Sequence, residues 1–269
     1  MMEYVKGKAL SRRDLFRGSA AAGAAIVASS ALSTRPVLAQ PATRAVDLTH
    51  TLTHDFPTYF GEQQFFDEVV FNYAEHFFNL NEIRVNEHTG THIDAPLHFT
   101  DGGASIDEVP VESLVCPLVV VDIRERADAD ADAQMTPDDL SAWIGAHGPI
   151  PEGACVLVNS GWESKLSTPG AYRNADDEGV MHFPGIHVEA AQMLLEETSV
   201  GGVGVDSLSI DYGQSADFAT HYLWLPANRW AVECVANLDQ VPAAGATLVV
   251  GSPKHKGGTG GPCRLIALV

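Results

Sequence analysis

The stretch His88–Phe99 reads "HTGTHIDAPLHF" and sets three of the chain's eleven histidines beside one aspartate. Helical spacing would put His88 and His92 one turn apart, but Gly90 lies between them and Pro96 follows, and both residue types disfavour a helix. An extended chain suits the stretch better. In the preceding "IRVNEH", Ile83 and Val85 alternate with Arg84 and Asn86, and on a strand the polar parity continues through His88, Gly90, His92 and Asp94. The three side chains then share one face, with Gly90 leaving room between them. Two imidazoles and a carboxylate form a recurring facial set for Zn²⁺, Mn²⁺ or Fe²⁺, with positions left open for water. His98 falls beyond the bend at Pro96, a place that suits a proton carrier better than a fourth ligand. A polar strand edge would explain one histidine, but not four coordinating or titrating groups on one parity.

Residues 1–39 have a charged start, an Ala/Gly-rich run and the small-residue site "VLA", the marks of an export signal cleaved after Ala39. The adjacent Arg12 and Arg13, followed by Leu15 and Phe16, point to the twin-arginine route and a periplasmic destination. Residues 18–34 are mostly Ala, Gly, Ser and Thr, whereas a membrane span needs about 20 strongly apolar residues. No stable membrane anchor is therefore expected after cleavage. Cleavage removes six of the 16 basic side chains and two of the 35 acidic ones, leaving 10 against 33 and a formal charge of −23. Such a surface repels nucleic acid and anionic lipid, which both need a basic footprint, and leaves a small molecule as the expected partner.

Residues 40–269 suffice for one sizeable core and most simply form one domain. Cys116, Cys155, Cys234 and Cys263 lie far apart, and Cys155 and Cys234 sit in the apolar runs "ACVLV" and "WAVECV", where a buried thiol is the default. An oxidising compartment permits a disulfide without requiring one. Strands are expected at Leu118–Ile123, Cys155–Val158, Val200–Asp206 and Leu265–Val269. "TPDDLSAWIGAHG" predicts a helix with Thr136 as cap, Pro137 in first place and Gly148 as its stop, and "HVEAAQMLLEE" predicts a second. Strands on both sides of each helix argue for an α/β or α+β layered domain with a mixed sheet. Glu125–Gln134, "ERADADADAQ", reads as a solvated loop, and Lys256–Gly261, "KGGTGG", as a flexible turn that lacks the order of a phosphate-binding loop.

The histidine stretch resembles the H-x-G-T-H-x-D-x-P-x-H-F motif of the cyclase-like metal-dependent hydrolases, a family that includes kynurenine formamidases and isatin hydrolases. "DLTHTL" (Asp47–Leu52), "VLVNSGW" (Val156–Trp162), "FPGIHVEAAQMLLEE" with "VGGVGVDSLSID" (Phe183–Asp211), "VECVANLDQVP" (Val232–Pro242) and "GGPCRLIAL" (Gly260–Leu268) are similar to its successive segments. The resemblance implies a single α/β domain of swivelling β/β/α type, assembled as a homodimer or homotetramer. It implies His88, His92 and Asp94 as ligands of a first zinc or manganese ion and His98 as catalytic acid/base. It also matches His221 in "THYLWL" and Glu233 in "VECVANL" to ligands of a second ion beside the shared aspartate, so that one or two ions are expected. A lone acid inside "WAVECV" would be costly unless paired or ligated, which favours the metal role for Glu233. The implied activity is hydrolysis of an amide, formamide or cyclic amide/lactone bond by metal-activated water.

Residues 55–66 show no clear match to the formamidase substrate tryptophan, which leaves the substrate open. His50, His54, Phe56, Tyr59 and Phe60 either line an aromatic pocket or serve as ordinary loop and core residues. Asp206 and Asp211 end a strand and suit structural hydrogen bonding more than catalysis. Two rivals are a catalytically inactive periplasmic metal- or ligand-binding protein of the same fold and a cupin oxygenase. An intact His98 weighs against the first, since sequestration needs no proton relay; the "HTGTH" spacing weighs against the second, since cupin histidines stand one residue apart. Replacing Arg12 and Arg13 by Lys should strand the protein in the cytoplasm. Fractionation of cells expressing both forms tests this, and mature variant outside the cytoplasm would refute the twin-arginine assignment.

Overall fold

The computed structural model describes residues 44–269; the export signal, with Arg12, Arg13 and the cleavage point after Ala39, lies outside the described residues. In chain order these residues form β1 (Ala45–Asp47), β2 (Phe65–Phe71), α1 (Tyr73–His76), β3 (Leu80–Val85), β4 (His92–Asp94) and β5 (Val115–Asp122). Then come α2 (Arg124–Ala129), β6 (Gln134–Met135), α3 (Pro137–His147), β7 (Cys155–Asn159), β8 (Gly185–Ile186) and α4 (Val188–Glu197). The last elements are β9 (Gly202–Val205), α5 (Ala219–Trp224), β10 (Trp230–Glu233), β11 (Ala246–Gly251), β12 (Gly260–Pro262) and β13 (Arg264–Leu268).

Nine strands join in one mixed sheet, in the order β1-β13-β11-β5-β7-β9-β10-β4-β12. Its centre, β5-β7-β9-β10, is parallel, and both flanks are antiparallel. The valine runs make this centre because they are buried on both faces, as parallel strands usually are. On one face Val119, Val121, Val156 and Val158 pack against Leu140 and Trp143 of α3 and Ala190 and Leu194 of α4. On the other, Leu118, Val120 and Leu157 meet Ile93, Val232, Leu248 and Leu265 in a core that the sheet encloses by curling on itself. The curl closes where Thr49, after β1, bridges Val235, after β10, and Ala236 donates its N–H to the Leu48 carbonyl at 2.9 Å.

Helix α3 has the expected ends: Asp139 accepts from the Thr136 N–H at 2.7 Å, Pro137 opens the first turn, and Gly148 stops it at φ +89°. Asp206 serves the structural role expected of it, accepting from Ser160 N–H and hydroxyl and from Trp162 N–H. All four cysteines are buried free thiols. No helix among the described residues is long and apolar enough to cross a membrane.

Three local expectations are corrected. Residues 124–129 form helix α2 rather than loop, because Ala127 packs into the core and the Arg126 guanidinium bridges Asp139 at 2.6 Å and the Gln134 carbonyl at 2.8 Å. Gly260 and Gly261 of the glycine-rich turn belong to strand β12, paired with β4. The strand leading into the histidine motif ends at Val85, and the chain turns before β4 starts at His92; Gly90, at φ +68°, is left-handed and cannot lie on an extended strand.

Strands β2 and β3 form a separate two-stranded hairpin whose apolar side chains face solvent, with Val69, Phe77 and Ile83 respectively 62%, 80% and 63% exposed.

Candidate metal centre

Strand β4 runs between β10 and β12, and its pleat sends Ile93 into the core while His92 and Asp94 share the opposite face. The β4–β10 register sets Glu233 directly opposite His92, which places a second carboxylate in the group. His92 Nε2 lies 3.4 Å from Asp94 Oδ1 and 3.3 Å from Glu233 Oε2. His88 reaches the same carboxylate from the turn rather than the strand, with Nδ1 2.7 Å from Asp94 Oδ1. Gly90 acts through its backbone: its carbonyl accepts from His92 Nδ1 at 2.8 Å, which leaves Nε2 facing the acids.

His221 comes from α5, and Asp211 holds it there. The Asp211 carboxylate accepts from the Thr220 N–H at 2.9 Å and from the His221 N–H and Nδ1 at 3.1 and 2.6 Å. His221 Nε2 is thereby directed at Asp94 Oδ2, 3.6 Å away, and at Glu233 Oε1, 3.3 Å away. Asp211 is thus structural in the sense expected, and the group that it orients is the candidate ligand. His98 stacks on His88 with ring centroids 3.7 Å apart. The structure brings together every residue that the sequence nominates: His88, His92, Asp94, His98, His221 and Glu233.

Donor atoms of His88, His92 and Asp94 lie within 4.8 Å of one another, as do those of Asp94, His98 and His221. His98 therefore stands as near to the acids as a ligand would. His92 Nε2 and Asp94 Oδ2 are buried without a hydrogen-bond partner, as expected of atoms that meet a cation. Burial opposes charge on His92, but the Asp94 and Glu233 carboxylates, 3.4 and 3.3 Å from Nε2, outweigh it and carry the imidazole up to about 10. The same balance puts His221 well above its usual value and Asp94 well below. Burial dominates at His98, which is pushed down to about 4. Imidazoles and carboxylates with no thiolate among them suit a divalent ion of the zinc or manganese type.

The cluster opens into a cavity of about 360 Å³, walled by Tyr59, Phe60, Phe99, Phe218 and Leu208 and, among the described residues, lined by no lysine or arginine. Of the aromatic candidates near the start of the domain, Tyr59 and Phe60 line it. Phe56 packs in a core with Trp162 and Tyr172, His50 rests against Phe56 with ring centroids 5.8 Å apart, and exposed His54 pairs with Asp67. Thr259, to which the sequence assigns no role, lies 2.9 Å from His88, and Thr91 of the H-x-G-T-H motif donates to the carbonyl of Cys234, next in chain to Glu233, at 2.6 Å.

The Cyclase family model matches residues 46–212. Isatin hydrolase of Roseibium aggregatum is 35% identical over 201 residues, covering 72% of this chain and 76% of that protein. Kynurenine formamidase of Salinibacter ruber is 29% identical over 195 residues, covering 72% and 82%. Isatin hydrolase A from Labrenzia aggregata, solved with benzyl benzoate, superposes with a TM-score of 0.78 at 38% identity over 84% of this chain and 93% of that one. With a sheet of that fold and a buried set of histidines and carboxylates fit for a divalent ion, the chain belongs to the Cyclase family of metal-dependent hydrolases.

Proposed function

We propose that the chain hydrolyses the C–N bond of a neutral, flat aromatic cyclic amide, with His88, His92 and Asp94 as metal ligands and His98 as proton carrier. The observation that carries this is the pair of buried, unpartnered atoms His92 Nε2 and Asp94 Oδ2 beside an aromatic cavity. Relatives named isatin hydrolase support the cyclic amide, since isatin is a planar lactam. A formamide carrying an amino-acid carboxylate would meet no lysine or arginine among the described residues of the cavity wall, and the imidazoles there are already paired with Asp94 and Glu233, so burying its charge is costly.

The ion, when bound, supplies Lewis acidity: it lowers the pKa of a coordinated water toward about 7 and polarises a carbonyl. His98, neutral at pH 7 because burial depresses it, takes a proton from the attacking water and passes it to the leaving nitrogen. Tyr59, Phe99 and Phe218 hold the flat ring and exclude water from it. Asp211 keeps His221 oriented, and Glu233 balances the imidazoles from the neighbouring strand. His221, Glu233 and Asp94 would hold a second ion; zinc or manganese suits either place. We place this chemistry in the periplasm, on the strength of the Arg12-Arg13 signal.

We also propose a homodimer or homotetramer joined through the β2–β3 hairpin. A two-stranded ribbon is marginal alone in water, and Val69, Tyr73, Phe77, Phe78 and Ile83 present apolar surface on it that a second copy of the chain would cover.

Three outcomes are expected. Metal binding must displace the proton that His92 holds up to about 10, so zinc affinity should rise about tenfold per pH unit for each proton released. Chelator competition at pH 6, 7 and 8 measures this, and a flat profile would contradict it. In metal-free protein the same imidazolium stabilises the fold fully below about 6.5, its ordinary value, and the effect is lost as pH rises through about 10.

His98→Ala should retain metal and lose roughly two to four powers of ten in isatin turnover, whereas Asp94→Ala should lose both. Metal content by mass spectrometry beside hydrolysis of isatin and N-formylkynurenine decides the roles. A metal-free His98→Ala would make His98 a ligand, and a fully active one would remove it from the mechanism.

Phe77→Asp combined with Ile83→Asp should reduce the particle to a single chain by light scattering. Wild-type protein that is already monomeric would exclude the hairpin interface.

A further inference from the structure

The glycine-rich stretch Lys256–Gly261 is placed against the metal centre by its strand pairing: Gly260 stands opposite Asp94, and Ala95 donates its N–H to the Thr259 carbonyl at 2.9 Å. Within it, Thr259 Oγ1 lies 2.9 Å from His88 Nε2 and 2.6 Å from Glu87 Oε2. Glu87 Oε2 also accepts from the Thr259 N–H at 3.2 Å, and Glu87 Oε1 lies 2.5 Å from Nε2 of the exposed His255. We propose that Thr259, itself oriented by Glu87, fixes the tautomer of His88 and so turns that ring's Nδ1 lone pair toward the ion. This rests on the metal site proposed above.

The direction of each hydrogen bond follows from what each group can do. A carboxylate has lone pairs only, so the single hydroxyl proton of Thr259 must go to Glu87. Its oxygen can then only accept from His88, which requires the proton of a neutral His88 to sit on Nε2. Nδ1, 2.7 Å from Asp94 Oδ1, is then left with its lone pair on the side of the ligand carboxylate, where the proposed ion would take the place of the proton that otherwise joins the two. The reverse arrangement would set two oxygens face to face at 2.6 Å with no proton between them. A carboxylate thus determines, through one hydroxyl, which nitrogen the ring offers, a longer version of the partnership by which outer groups orient metal-bound histidines.

The flanking glycines serve this contact. A Cβ on Gly260 would come within 2.2 Å of the Ile93 carbonyl and 2.9 Å of His88 Cε1. A Cβ on Gly258 would come within 2.1 Å of His255 Nε2 and 2.6 Å of Glu87 Oε1. Any larger residue on either side would push Thr259 off His88 or Glu87 off Thr259.

The test measures Zn²⁺ affinity, by competition with a chromophoric chelator, for wild type, Thr259→Val, Thr259→Ser and Glu87→Gln, with Tm recorded for each. Thr259→Val keeps the shape and removes the hydroxyl; its Kd should rise about 10- to 100-fold while Tm of the metal-free protein stays near wild type. Thr259→Ser should restore tight binding, and Glu87→Gln, whose amide can donate and so frees the hydroxyl to turn, should weaken it. Two-bond ¹H–¹⁵N spectra of zinc-loaded wild type should show His88 protonated at Nε2, a result that does not depend on any variant folding. Thr259→Val binding as tightly as wild type, or His88 protonated at Nδ1, overturns the proposal. Wild type that binds no zinc would instead refute the metal site itself.

Discussion

Asp94 and Glu233 lie on neighbouring strands, both buried and both facing His92 Nε2, with no lysine or arginine among the described residues of the cavity beside them. Two desolvated carboxylates so close to one imidazole would drive the strands apart unless positive charge stands between them. Among the described residues the groups placed to supply it are imidazoles, and these serve either by holding protons or by sharing a cation. Much of the surrounding structure meets that one constraint: the turn that brings His88 in, the carbonyl of Gly90 that sets His92, and the capping Asp211 that sets His221. The site is better described as a charge problem posed by the sheet than as a pocket decorated with ligands.

Periodicity alone made much of the fold legible. The valine runs announced strands buried on two faces, and Thr136, Pro137 and Gly148 marked a helix to the residue. It failed where local composition was overruled by a partner distant in sequence. "ERADADADAQ" looks solvated because alternate Ala and Asp carry no helical stripe, but one buried Ala127 and the Arg126–Asp139 pair suffice to wind it. "KGGTGG" looks like slack because glycine normally supplies slack. Here it supplies proximity, which no single-sequence pattern distinguishes from flexibility.

At the site, the shared parity of His92 and Asp94 follows from the strand period, and it was readable. The parity of His88 matched by coincidence, since a left-handed Gly90 breaks the strand before it. Glu233 could be suspected from the family resemblance and from the cost of an acid in an apolar run; that it faces His92 is a matter of strand register, which the sequence does not encode locally. His221 and the aromatic wall depend likewise on where α5 and residues 57–60 come to rest. Chemistry could be read in the residue types, whereas proximity had to be seen.

The closure of the sheet at Thr49 and Val235 carries a consequence for the order of events in folding. The groups around Asp94 come from the first strands, from α5, from β10 and from the penultimate strand, and His88 and Thr259 are 171 residues apart. Contacts of that span form late, after most of the loop-closing entropy has been lost. A nascent or truncated chain therefore holds the local set of His88, His92 and Asp94 without His221, Glu233 and Thr259, and the complete site waits on closure of the sheet before it receives the ion. It acts as a latch: its binding energy adds to the stability of a sheet already closed, so metal occupancy in this architecture records that folding is complete.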